Sequence, residues 1–237
     1  MSLVLGGPPP QNKTQMKARL QEIIAAGWME MSGDLRSYNG TGGPGNYLED
    51  LLGLTSGNQD IADCVGWEVK FSTPKTSLIT LFHKEPEPEG IMRYMVSKYG
   101  WKDKYGRLSF RHTIQGQSDR FIVVDDAGSI IVRPLTGGGP VPTWTHDILL
   151  GVAGGKLRRL VSMTGQRKGN TVRYNHAELF ENLHITNLIH DLVSGRIAID
   201  FDVREMKAGS KSLRNHGTKF RVSPRNLHNL YHDQHSL

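Results

Sequence analysis

The sequence predicts an α/β fold in which a mixed β-sheet is flanked by helices. Three observations predict it. Residues 13–26, KTQMKARLQEIIAA, carry Met16, Leu20, Ile23 and Ile24 on one face of a 3.6-residue period. Residues 67–71 and 196–205 alternate apolar and polar side chains with period two. Two hairpin patterns, 120–134 about Asp-Ala-Gly and 157–174, stand between helical stretches and not in one all-β block.

Taken in order, residues 1–12 read as a flexible lead-in, and helix 13–26 is stopped by Gly27. A turn-rich stretch, 32–45, precedes a second helix at NYLEDLLGL, where Leu48, Leu51 and Leu52 share a face and Gly53 ends the run. Its YNGTGGPG portion lacks the lysine and the strand-loop-helix setting of a phosphate loop, so it is read as a turn. Trp67, Val69 and Phe71 alternate with Glu68 and Lys70 in a strand. SLITLFH, 77–83, is another strand, EPEPEG a surface loop, and IMRYMVSKYGW, 91–101, a helix. Residues 185–195 form a helix closed by glycine. Residues 196–205 place Ile197, Ile199, Phe201 and Val203 on one strand face. GTKFRVS is a short strand and PRNLHNLYHDQ a closing helix. No repeat and no linker divides the chain.

Composition narrows the function. The 237 residues are 37% hydrophobic and 22% charged, an ordinary globular balance. No apolar run reaches the ~20 residues of a membrane helix, and no basic-then-apolar leader opens the chain. Cys64 is the single cysteine, read as a small buried side chain; no internal disulfide is possible, and a cytoplasmic, reducing compartment is expected. The net charge is +6, and its placement is informative. From Arg204 to Arg225 seven basic residues accompany one acid, Glu205, and 156–173 holds six basic residues and no acid. Two such segments suit a polyanion, nucleic acid first; solvated loops are the plainer reading.

DCVGWEVK, 63–70, carries the chemistry. Glu68 and Lys70, two apart on a strand, project from one face, and Asp63 enters the strand five residues earlier. Two carboxylates beside a lysine can hold Mg2+, which takes oxygen ligands, and the lysine can orient a water or stabilise a phosphate transition state. An acid-x-Lys strand alone is more often a solvated face. Here the strand's other face is apolar, an acid lies upstream, the preceding helix offers Glu49 and the chain is basic.

Asp-(x4)-Glu-x-Lys is the signature of the PD-(D/E)XK nucleases. GNYLEDLLG followed by DCVGWEVK resembles the MutH/MvaI/BcnI branch, and SLITLFHK, 77–84, is similar to the strand after the active site in the MvaI/BcnI restriction endonucleases. The helix ending in Gly27-Trp28 and the segment KSLRNHGTKFRVS, 211–223, are similar in layout to theirs. The likeness runs from about residue 13 to the C-terminus and is weakest between 100 and 155.

The resemblance implies a PD-(D/E)XK core with catalytic and recognition lobes around a DNA cleft. It makes 13–237 a single nuclease domain, catalytic over about 13–115 and recognising DNA from about 116 onward. It implies Asp63 and Glu68 as metal carboxylates, Lys70 as the water-orienting group and Glu49 as an outer ligand or water positioner. His83 matches a histidine that contacts target DNA; a lone histidine there is otherwise structural. Arg214, His216, Lys219 and Arg221 are the candidates for base or phosphate contact, and each also reads as a solvated charge. Lys219 stands where BcnI-type enzymes have a histidine; it donates but cannot accept, so the target sequence stays open.

The implied activity is that of a type II restriction endonuclease, Mg2+-dependent, leaving 5′-phosphate and 3′-hydroxyl ends. It would act as a monomer on double-stranded DNA, with a cognate DNA methyltransferase in the same system but not in a stable complex. The alternatives are a MutH-like strand-specific nickase, a non-catalytic DNA-binding module on a nuclease fold, and a structural protein without nucleic acid. His228, His232 and His235 near the end have no clear third ligand for zinc and receive no function.

Overall fold

The computed structural model describes residues 5–33, 37–54 and 66–237. In chain order the elements are α1 (Lys13–Ala25), β1 (Trp28–Glu30), α2 (Gly43–Leu51), β2 (Glu68–Ser72), β3 (Ile79–His83), α3 (Ile91–Tyr99), β4 (Trp101–Lys102), β5 (Leu108–Ile114), β6 (Phe121–Asp126), β7 (Ser129–Pro134) and β8 (Thr143–Thr145). Then follow α4 (His146–Lys156), β9 (Arg159–Lys168), β10 (Thr171–Leu183), α5 (Leu188–Val193), β11 (Ile197–Glu205), β12 (Leu213–Asn215), β13 (Lys219–Val222) and β14 (Tyr231–Ser236).

The chain forms two compact units that are not consecutive stretches. The first comprises Met1–Ile79, Val152–His184 and Leu227–Leu237, the second Thr80–Gly151 and Ile185–Asn226.

The first unit is built on the order β1-β10-β9-β2, with β14 also pairing β10. β9 and β10 are the predicted 157–174 hairpin, extended to Leu183. β2 runs parallel to β9, Glu68 opposite Leu160. α1 starts where Asn12 Oδ1 accepts from the Gln15 N–H at 3.0 Å. Its buried Met16, Leu20 and Ile23 join Leu48, Leu51, Leu52, Trp67 and Val69 in one core. Residue burial begins inside the expected lead-in: Leu5 packs against this core, Pro10 is buried, and the Gly6 N–H donates to Asp50 O at 3.0 Å. α2 begins three residues earlier than the sequence reading, within the glycine-rich stretch. A Cβ on Gly43 would lie 1.8 Å from the Tyr38 carbonyl oxygen, so only glycine lets the backbones meet there.

The second unit holds the sheet β3-β13-β11-β5-β4, with β12 also on β11, and the three-stranded β6-β7-β8. β6 and β7 are the hairpin about Asp-Ala-Gly, turning through Ala127 at φ 48 and Gly128 at φ 82. The apolar face of β11 meets an aromatic core: Phe201 lies 5.4 Å from Phe110 and 6.3 Å from Trp144, and Phe82 stacks on Phe220 at 4.6 Å.

Two further sequence expectations change. The 185–195 helix is a short 3-10 turn, Ile185–Asn187, followed by α5. The closing helix is absent: Pro224–Leu230 is a 3-10 turn and β14 pairs antiparallel with β10 from Leu183↔Tyr231 to Glu178↔Ser236. Asn, His, Tyr and Asp are weak helix formers, and the unsatisfied edge of a thirteen-residue β10 offers that backbone a ladder instead.

Candidate active site and nucleic-acid face

Trp67 and Val69 sink into the core beside Leu48 and Val161, which turns Glu68 and Lys70 to the other face of β2. On that face Lys70 keeps some exposure, but Glu68 does not. Glu68 is 1% exposed. A carboxylate so enclosed must meet cations or donors. The Lys70 ammonium contacts its Oε1, and the Lys156 Nζ lies 4.0 Å from its Oε2. Lys156 ends α4, and the reading from sequence missed it as a site residue; its one signal was its place at the head of the acid-free 156–173 stretch.

The next shell fixes these groups. Tyr231, 4% exposed, donates from its hydroxyl to the Leu157 carbonyl at 2.9 Å, and burial followed by the Glu68 charge raises its pKa. α2 packs against β2 and carries Glu49, half-buried, in its last turn. Tyr174 donates to the Pro44 carbonyl at 2.6 Å and so ties the start of α2 to β10. Burial raises the Tyr174 pKa, and the Tyr47, Tyr38 and Glu49 charges add to it. Asp63 and Cys64 lie outside the described residues. Among the described residues no group of three or more metal-ligating side chains meets. Glu68 nonetheless supplies hard carboxylate oxygens in an enclosed position, the donor chemistry that magnesium takes.

Of the five DNA-contact candidates, His83, Arg214, Lys219 and Arg221 lie on strands of the six-stranded sheet of the second unit, and His216 lies in the connection from β12 to β13. β11 alternates buried Ile199, Phe201 and Val203 with Asp200, Asp202 and Arg204 on its polar face. Lys219 and Arg221 of β13 are on this face, but both meet acids: Lys219 Nζ is 3.4 Å from Asp202 Oδ2 and Arg221 Nη1 is 3.1 Å from Asp200 Oδ2. From β5, Arg111 Nε reaches Asp202 at 3.0 Å. Arg214 is exposed on β12 and pairs in register with Arg204. Burial, then the charges of Arg107, Arg214 and Arg111, lower the Arg204 pKa. Arg107, just before β5, Arg111 and Arg204 complete an arginine cluster that the sequence reading did not assemble, because β5, β11 and β12 come together only in the sheet.

His216 is exposed, and its N–H donates to Asp202 O at 3.0 Å. His83 is exposed at the end of β3 beside Gly217, where a Cβ would lie 3.1 Å from its ring. Glu85 clasps this turn, accepting from the Thr218 N–H at 2.7 Å and the Asn215 side chain at 2.8 Å. The three histidines near the C-terminus form no helical face. His228 is in the 3-10 turn, and the rings of His232 and His184 stand 3.4 Å apart.

No helix among the described residues is long and apolar enough to cross a membrane. Comparison with curated proteins finds no match. Among solved structures, the chain is similar to the complex of restriction endonuclease MvaI with its cognate DNA substrate, at TM-score 0.79 and 24% identity over 94% of this chain and 97% of that one. It is also similar to MvaI in the absence of DNA, at TM-score 0.55 and 22% identity over 93% and 95%. The likeness shows a shared mixed α/β fold. The profile of the MvaI/BcnI restriction endonuclease family matches residues 17–231, nine-tenths of the chain, and the chain belongs to that family.

Proposed function

We propose that the protein is a type II restriction endonuclease that hydrolyses phosphodiesters of duplex DNA at a short specific sequence. The observation that supports this most directly is the enclosed Glu68 carboxylate facing Lys70 on the edge strand of a sheet in a chain of this family. Glu68, with Asp63, holds magnesium in this reading, and Glu49 assists from α2. Bound magnesium lowers the pKa of a coordinated water and neutralises charge on the phosphate. Lys70 orients the attacking water and stabilises the extra charge of the transition state. The water oxygen attacks phosphorus, the bond to O3′ breaks, and the departing O3′ takes up a proton. The ends are then 5′-phosphate and 3′-hydroxyl.

His83, Arg214, His216, Lys219 and Arg221 contact DNA in this reading. Arg214 is the most available of them, since Lys219 and Arg221 must share their charges with Asp202 and Asp200. With one site per chain, the enzyme cuts one strand as a monomer and rebinds to cut the other. A cognate methyltransferase would guard the host's own DNA.

The test is digestion of a long unmethylated DNA with and without magnesium, followed by sequencing of the ends. Discrete double-strand cuts sharing a short motif are expected. Nicks alone would favour a strand-specific nickase, and binding without cutting a non-catalytic module. The Lys70→Ala protein should bind DNA but not cut it; full cutting by that variant would sink the mechanism.

A further inference from the structure

We propose that Lys156 is a second lysine of the nuclease site, one that faces Glu68 in the protein alone and moves to a phosphate oxygen of the strand being cut. The inference rests on the nuclease reading above. Its ground is topological. β2 and β9 are parallel with Glu68 opposite Leu160, and only Leu157 and Arg158 separate the end of α4 from β9. The last residue of α4 must therefore arrive beside the start of β2, and that residue is a lysine.

Three details set Lys156 apart from a solvated charge. Its side chain is 17% exposed, less than the 21% of Lys70. Its backbone is fixed, because Leu157 is fully buried, its N–H donates to Ala153 O at 2.7 Å, and its carbonyl accepts from the buried Tyr231 hydroxyl. Its ammonium stands 4.0 Å from Glu68 Oε2, the outer edge of an ion pair, whereas Lys70 touches Oε1. An ammonium held at that range by a long flexible stem can exchange one oxygen for another without moving its backbone. A phosphodiester brought to Glu68 presents such oxygens. The two lysines then divide the work: Lys70 serves the water, and Lys156 serves the phosphate.

The experiment compares wild type with Lys156→Met and Lys156→Arg, using a duplex carrying the cut sequence mapped by digestion. Binding is measured in chelator across a range of salt, and single-turnover cleavage at saturating magnesium. The Met variant should cut about 10²-fold more slowly, as when one preorganised donor is lost. Its plot of log affinity against log salt should be shallower by about 0.9, one phosphate contact. Arg should restore the slope and most of the rate. Lys156→Gln gives the same reading if the Met protein fails to fold. A merely structural lysine would shift the melting temperature and leave the slope alone, and that result overturns the inference. So does a Met variant with wild-type rate and slope, while the nuclease reading stands. Wild-type protein that neither cuts nor binds DNA overturns both.

Discussion

At the scale of single residues, Glu68 and Asp103 are both carboxylates held by cations, in different ways. Glu68 is enclosed and faces two ammonium groups, and a charge pair 4 Å apart at an effective dielectric of 20 is worth about 4 kcal/mol before desolvation. Glu68→Gln keeps the shape and removes the charge. Losing a partner in a fully enclosed pair costs about 3–5 kcal/mol. Both lysines retain some exposure and can turn toward water, so the expected loss is nearer the 1.5–3 kcal/mol of a charged hydrogen bond. Urea denaturation of the two proteins measures it, and nuclease activity should be lost. Asp103 differs: the Arg107 guanidinium, helped by the Tyr105 and Arg107 N–H groups, holds its carboxyl down at about 2. The unfolded chain titrates near 3.9. A depressed folded value stabilises above the unfolded pKa and is lost as pH falls through the folded one. Wild type should therefore lose its advantage over Asp103→Asn between about pH 4 and pH 2. An Asp103 carboxyl that titrates near 4 by NMR would contradict this.

At the scale of elements, the edge strand β2 is set by what lies across the sheet. A Cβ on Gly165 would come within 2.3 Å of the Arg173 carbonyl and 2.9 Å of the Phe71 ring. Gly165→Ala should displace Phe71, the residue next to Lys70, at a cost of about 1–3 kcal/mol for overpacking. Cleavage should slow with it; an Ala variant with unchanged stability and rate would show that β2 does not depend on this contact. β2 itself was legible in the sequence, because its apolar face is buried and period two leaves one choice of face. The enclosure of Glu68 was not legible, since Lys156 and Tyr231 arrive from elements far away in sequence. α4 escaped as well. HDILLGVAGGK carries three glycines and no clean polar-apolar period, so its helix owes more to burial of Leu149, Val152 and Ala153 than to propensity. The Arg204 cluster is the same kind of case: β11 was read correctly, but its partner strands β5 and β12 are set by register, which no local pattern encodes.

At the scale of the whole molecule, the chain enters the first unit three times, and the last entry is its C-terminal eleven residues. Read as sequence, that segment is a polar, histidine-rich end of the kind that frays. In the fold it buries Leu227, Leu230 and Tyr231, all at or below 4% exposure. Tyr231 holds the chain just after Lys156, the His184 N–H donates to Leu230 O at 2.8 Å, and the Leu237 N–H donates to Ala177 O at 2.9 Å. Burying three such side chains contributes about 1.5–3 kcal/mol each. Their sum approaches the ~5–15 kcal/mol by which a whole domain is stable. A protein ending at Asn226 should therefore lose its cooperative melting transition or have it lowered severely, and lose nuclease activity, although the segment contains none of the proposed catalytic or DNA-contact residues. Tyr231→Phe is the milder version: the ring stays, and the hydroxyl contact with Leu157 goes. It should cost about 1 kcal/mol and slow cleavage by loosening the end of α4, with the Lys156 salt dependence reduced in step. A truncated protein that melts and cuts like the full chain would mean that the edge of β10 closes without β14, and that the site beside Glu68 is held by β9 alone.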